Sequence, residues 1–538
     1  MKLHVPILLI LILLISCAPK EEVDLLVYNA KIYTVDENFS KATTFAVKNG
    51  VFTAVSENGL EGYNAKEALD AKGKTIVPGL IDAHCHFYGL GLTQQIVNLR
   101  GTTSYNDILE KVAEFVKEKP SNFIQGRGWD QNDWEVKEFP TKDKLDKLFP
   151  DTPVALERVD GHAYLVNQKA LNLAGITKET QVNGGEIVKD AKGNLTGILV
   201  DTPMALIDAT IPKPSTATKI QALKDAERLC FSYGLTTVND AGLDKTTIEL
   251  IDSLQQAGEL NIRVYAMISN NAENLDYYLK KGIVKTEKLN VRSVKVYGDG
   301  ALGSRGAALR APYSDKPGHF GAMITPIAKI ELLAQRIAAS EYQMNTHAIG
   351  DSANIAVLRA YGKVLPDNAD RRWKIEHAQV ITKTDFQYFA NGIIPSIQPT
   401  HATSDMYWAE DRLGKKRVKG AYAFKTLLNN AGIVVLGTDF PVERVNPFLT
   451  FYAAVTRQDL KGYPEEGFQM KDALTREETL KGMTIWAAYS NFEEHEKGSI
   501  EVGKKADFVI LSEDIMQIPT AAIPDLKAEK VFVGGVAY

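Results

Sequence analysis

The chain has 538 residues, more than one ordinary core organises, so more than one folding unit is expected. Its 45% apolar and 24% charged residues are globular values, which leave room for a large buried core and argue against a disordered chain. A formal net charge of −5, with no basic run, argues against a nucleic-acid partner.

Lys2 precedes an apolar run over 3–15, too short to span a bilayer but suited to a secretory leader. The run ends in LeuIleSerCys (14–17), which resembles the bacterial lipobox. That resemblance implies cleavage before Cys17, lipidation of its thiol, and anchoring to a membrane of the bacterial cell envelope on its periplasmic or surface side. An ordinary signal peptide (1–17) or a short anchor is the alternative, and 18–24 then reads as a polar tether. Only Cys85 and Cys230 would remain, which is no disulfide framework.

From residue 25 the pattern changes to strands. LeuLeuValTyrAsnAlaLysIleTyrThrVal (25–35) alternates like a half-buried strand, and 42–55 reads as strand, AsnGly turn and strand. Segments 498–512 and 530–538 have the same character at the other end. None is large enough to build a core alone. We therefore expect 25–75 and 481–538 to combine in one small β-sandwich.

Between them, apolar strand-like runs at 76–84, 235–240, 261–268, 292–297, 342–347, 372–377, 393–398 and 433–438 alternate with helical patterns such as 218–232. Eight strands alternating with helices predict an α/β fold of the TIM (β/α)8 barrel type over 76–480. About 150 residues separate the first two strands, far more than a loop and a helix need, so 95–215 reads as an insertion at the barrel mouth.

Metal-type residues sit at the ends of these strands. His84 and His86 are two apart in ProGlyLeuIleAspAlaHisCysHis (78–86), so both imidazoles project from one face while Cys85 points away. Asp82 shares the histidine face, deeper, and is expected to hold a ligand from behind. Lys295, His347, His377 and Asp439 lie on later strands. Taken singly, His347 and His377 would read as satisfied core histidines.

Segment 78–86 as a whole resembles the first-strand signature of the amidohydrolase superfamily. The binuclear type of that superfamily uses a His-x-His pair on strand one, a carbamylated lysine on strand four, histidines on strands five and six and an aspartate on strand eight. The resemblance implies the ligand set His84, His86, Lys295, His347, His377 and Asp439, each on a counted strand of the right rank. GlyAspGlyAlaLeuGlySerArgGlyAlaAlaLeu (298–309), ThrHisAlaIleGlyAsp (346–351) and GlyThrAspPhePro (437–441) are similar to the YtcJ-like branch, which includes N-substituted formamide deformylases. Nearly the whole mature chain is covered, including the insertion motif at Asp160, Gly161 and His162.

The resemblance further implies a metal-dependent hydrolase of carbon–nitrogen amide-type bonds in a small molecule. Imidazole and carboxylate ligands suit two divalent ions, zinc first, with manganese or iron as alternatives. Lys295 reads either as the carbamylated bridge between them or as a lysine paired with Asp299. Asp439 is the expected catalytic proton carrier.

Candidate substrate contacts are Trp129, Arg158, Asp160, His162, Arg305, Gln398 and His401. For several a blander reading stands beside the functional one. Trp129 and Trp134 could form the insertion's own core, His162 could brace Asp160, and Arg305 could be a structural charge. A related deaminase, lactonase or isomerase shares the same motifs. From another class, a non-catalytic, lipid-anchored binding protein remains a rival. A homodimer is an open possibility.

Overall fold

Alternation begins earlier than the sequence suggested. In the computed structural model, which describes residues 20–538 except 160, 162, 183–185, 201 and 367–369, a strand runs from Glu21 to Tyr28. Val23, Leu25 and Val27 are its buried face, so the expected tether is already part of the sheet at Glu21. Cys17, Asp160 and His162 lie outside the described residues.

Both chain ends enter one six-stranded sheet. Thr75–Pro78 pairs antiparallel with Phe508–Leu511, and Ala528–Val533 lies on its far side. A second, four-stranded sheet has the order Val51–Ser56, Thr44–Lys48, Glu21–Tyr28 and Tyr63–Asp70. One apolar cluster draws on both sheets, with Val27, Phe45 and Phe52 of the four-stranded sheet meeting Ile76, Phe508 and Phe532. The C-terminal segment joins these sheets later than expected. Ala487 and Ala488, in the helix Ile485–Ser490, pack against Ile81, Ala83 and Val435 of the barrel. The strand-like alternation only starts beyond that helix, which is why 481–497 stays with the barrel.

The eight barrel strands are Leu80–Cys85, Leu235–Leu243, Arg263–Ser269, Leu289–Tyr297, Gln343–Ala348, Lys374–His377, Ile394–Ile397 and Val435–Leu436, in that spatial order and parallel throughout. The first and eighth meet without a regular ladder. Two backbone hydrogen bonds close the gap, Asp439 N to His84 O and His86 N to Phe440 O, each 2.8 Å. Closure therefore runs through candidate ligands themselves.

Between the first and second strands, residues 97–200 form a six-stranded sheet of their own with its own apolar cores. Trp129 and Trp134 are buried in one of these, beside Leu99, Ile108 and Leu156.

One buried ion pair ties barrel to terminal sheet. Arg263 on the third strand donates to Asp507 through Nε (2.6 Å) and Nη2 (2.9 Å), with side chains only 3% and 4% exposed. Removing one partner strands the other charge in the interior, which costs about 3–5 kcal/mol. Arg263→Ala should accordingly lower the urea midpoint and the Tm sharply. A midpoint equal to that of the parent chain would show that the pair does not couple the two units.

Candidate metal centre

His84 lies near the end of the first strand and His86 just beyond it, with His84 fully buried and the His86 side chain 30% exposed. The eighth strand must come unusually close to them. A Cβ at Gly437 would lie 2.5 Å from the His84 backbone nitrogen, so only glycine fits there. Asp82 secures this approach by accepting from Thr438 Oγ1 at 2.7 Å, Thr438 N at 3.1 Å and His84 N at 3.2 Å. It was expected to brace a ligand's side chain. It braces backbone instead, because Thr438 offers a hydroxyl and an amide directly across from it.

Two strand ends break regular geometry to aim their side chains. His377 has φ +74° and Asp439 φ +60°, left-handed values that non-glycine residues adopt at a cost. The turn at His377 lets consecutive residues serve one site. Glu376 Oε2 lies 2.5 Å from His84 Nδ1, while His377 Nδ1 lies 2.7 Å from Gln398 Oε1.

Around Asp439 the ring nitrogens converge. Its Oδ1 is 3.3 Å from His86 Nε2 and 3.7 Å from His84 Nε2, and its Oδ2 is 3.6 Å from His401 Nε2. His347 and His377 face each other edge-on at 4.5 Å between centroids, and His84 and His377 are 4.9 Å apart. Lys295 Nζ reaches His84 Nε2 at 3.2 Å and has no carboxylate within ion-pairing distance among the described residues. Asp299 is not its partner, since it accepts the backbone amides of Ala308, Ile349 and Gly350 at 2.8–2.9 Å.

These side chains fit divalent cations. Burial, reinforced by the Lys295 charge, lowers His84 and holds His347 down at about 3, and burial takes His377 well below its ordinary value, so all three keep a free lone pair. Burial opposes ionisation of Asp439, but His86 beside its Oδ1 and the other imidazoles around it outweigh burial and keep the carboxyl an anion. His347 Nε2, His401 Nε2 and Asp439 Oδ1 are buried without a hydrogen-bond partner, an arrangement that costs free energy unless something accepts those lone pairs. Two groups of potential ligand atoms, His84/His86/Asp439 and His377/His401/Asp439, each lie within 4.8 Å of one another and share the one carboxylate.

The remaining expectations divide. Gln398 and His401 belong to the centre, the first as a brace on His377 and the second stacked against it at 5.9 Å. Trp129 does not face the pocket: it is fully buried and donates to Leu156 O at 2.8 Å, because its indole completes the insertion's core. Arg305 is neutralised by Asp315 through two hydrogen bonds of 2.7 and 3.1 Å and is no free contact for a substrate anion. Arg158 is engaged by Asp130 and Gln131 within the insertion. Sequence reasoning missed Glu376 entirely. Its one signal was LysIleGlu (374–376), two charges spaced two apart inside a strand otherwise marked for burial. Tyr297 was also missed; it is 40% exposed, with its ring 5.7 Å from His347. A cleft of about 910 Å³ bordered by Lys383, Lys416 and Arg417 includes none of these residues.

Comparison with known proteins agrees with this geometry. A sequence profile described as "Amidohydrolase family" matches residues 67–537. The putative amidohydrolase YtcJ of Bacillus subtilis (strain 168) is 32% identical, over 94% of this chain and 97% of that protein. The N-substituted formamide deformylase of Arthrobacter pascens is 26% identical, over 95% of this chain and 98% of that protein. Among solved structures, an uncharacterized metal-dependent hydrolase from Pyrococcus furiosus superposes with a TM-score of 0.77 at 26% identity, covering 92% of this chain and all (100%) of that one.

Proposed function

Since the chain belongs to the amidohydrolase family and is a metal-dependent hydrolase, we propose that it cleaves a carbon–nitrogen, amide-type bond of a small molecule. The observation that carries this is the single carboxylate of Asp439 lying between two sets of imidazoles, with its Oδ1 unsatisfied. Likeness to a formamide deformylase over nearly the full length favours a C–N bond over a C–O bond.

Two divalent ions, zinc by ligand type, would be held by His84, His86, Lys295, His347, His377 and Asp439, with His401 close enough to join the second group. When bound, such ions supply hydroxide near neutral pH, by lowering the pKa of water from ~15.7 towards ~7, and polarise a carbonyl. The chain's own part is proton management and orientation. Asp439 takes the proton of the attacking water and returns it to the leaving nitrogen, so the departing group leaves as a neutral amine. Gln398 fixes the His377 ring, which leaves Nε2 as that residue's lone-pair donor. In this reading the leader is removed before Cys17, and the lipidated Cys17 anchors the enzyme to an envelope membrane. No described helix is long and apolar enough to cross one.

The test is a substrate panel on the metal-reconstituted mature protein, with metal content measured alongside. About two equivalents of metal and turnover of formamides or other N-acyl compounds are expected. Turnover confined to lactones or aminated heterocycles would replace the amide reading with lactonase or deaminase chemistry. A chain that retains no divalent ion would overturn the metal centre itself.

A further inference from the structure

The two imidazoles at the heart of the site are held by different chemistry. His377 Nδ1–H donates to the neutral amide oxygen of Gln398 at 2.7 Å. His84 Nδ1 instead faces a carboxylate, Glu376 Oε2, at 2.5 Å, and both side chains are completely buried (0% exposed). A carboxylate in so dry a place is costly unless it is paired. Lys374, two residues back on the same strand and equally buried, adds a positive charge to its surroundings, and its Nζ donates to Asn491 Oδ1 at 3.2 Å. No other hydrogen bond engages the Glu376 carboxylate among the described residues, and its Oε1 has no partner. Among the described residues, the hydrogen bond of this carboxylate thus goes to His84. At the other side of that ring, Nε2 points at Lys295 Nζ and Asp439 Oδ1.

We propose that Glu376 is a positioning residue that makes the two metal positions unequal. By accepting from Nδ1–H it fixes the His84 tautomer with the lone pair on Nε2, and its negative charge makes that lone pair a stronger donor. The position served by His84, His86 and Asp439 is the tight one, whereas the position served by His377, which has only an amide behind it, is the weak one. This inference rests on the metal-centre reading above and goes beyond it by ranking the positions and naming the residue that sets the rank.

Zinc binding by chelator competition on the full mature chain tests the proposal without reference to turnover. The parent protein should release its ions in two separated steps. Glu376→Gln keeps an oxygen that can accept from Nδ1–H but removes the charge. It should weaken the tight step by about 10-fold, and Glu376→Ala by up to about 100-fold, the range that partners behind a metal ligand command. The weak step should stay within about threefold, a selectivity that a merely structural role would not produce. Gln398→Glu is the converse, placing a carboxylate behind His377, and should tighten the weak step by about 10-fold; it also decides the matter if the Glu376 variants do not fold. An unchanged tight step in Glu376→Gln, equal weakening of both steps, or no gain in Gln398→Glu would each overturn the proposal while leaving the metal centre intact. A parent chain that binds no zinc would overturn both.

Discussion

Asp439→Asn will fold normally and lose about 10²–10⁴ of kcat, the contribution of a positioned acid–base group. The substitution is a clean one for a conformational reason. Residue 439 sits at φ +60°, and asparagine is among the few side chains that occupy left-handed backbone readily. The chain-closing hydrogen bond from Asp439 N to His84 O (2.8 Å) is made by backbone and survives the change. The anion between the two imidazole sets disappears, and with it the capacity to carry a proton. Metal content and circular dichroism must be measured with the rate, since loss of ions would imitate loss of the base. Near-normal turnover with normal metal content would remove Asp439 from the mechanism, and with it the proposed route of the proton from water to the leaving nitrogen.

Much of this arrangement was readable in the chain because strand order is a one-dimensional property. Eight apolar runs, spaced by helical patterns, correspond to eight parallel strands in sequence order, and each expected ligand lies at or just beyond the end of the strand that was expected to carry it. The failures share a cause. Period-two alternation assigns neighbouring residues to opposite faces. It therefore discarded Glu376 as soon as His377 was chosen, and only the positive φ of His377 brings both to one site. The same rule grouped Asp82 with His84, whose side chains do share an interior, but said nothing of Thr438 waiting across the closure. Trp129 and Arg305 were nominated for being conspicuous in loops. Their partners, Leu156 and Asp315, are ordinary residues that no pattern marks.

Lys295 carries the second large prediction. It is buried, its Nζ stands 3.2 Å from His84 Nε2 and 5.1 Å from the Tyr297 ring centre, and no described carboxylate pairs with it. An ammonium there would oppose divalent cations. Desolvation lowers its pKa, which makes the neutral amine accessible. That nitrogen can attack the carbon of CO2 and release one N–H proton to solvent, leaving a carbamate whose two oxygens carry the negative charge. Lys295→Ala should thus cost more than the about 10–100-fold typical of residues that only support a ligand, and it should lower the metal content. Short carboxylic acids, which can place two oxygens where the carbamate stood, should restore part of both. Protein stripped of metal in bicarbonate-free buffer should likewise regain activity only when bicarbonate accompanies the metal. Full reactivation without bicarbonate, together with no rescue of Lys295→Ala by formate, acetate or propionate, would show that Lys295 acts as an unmodified amine. The centre would then need another anion to bridge its two halves, and the shared carboxylate of Asp439 is the group already placed to do so.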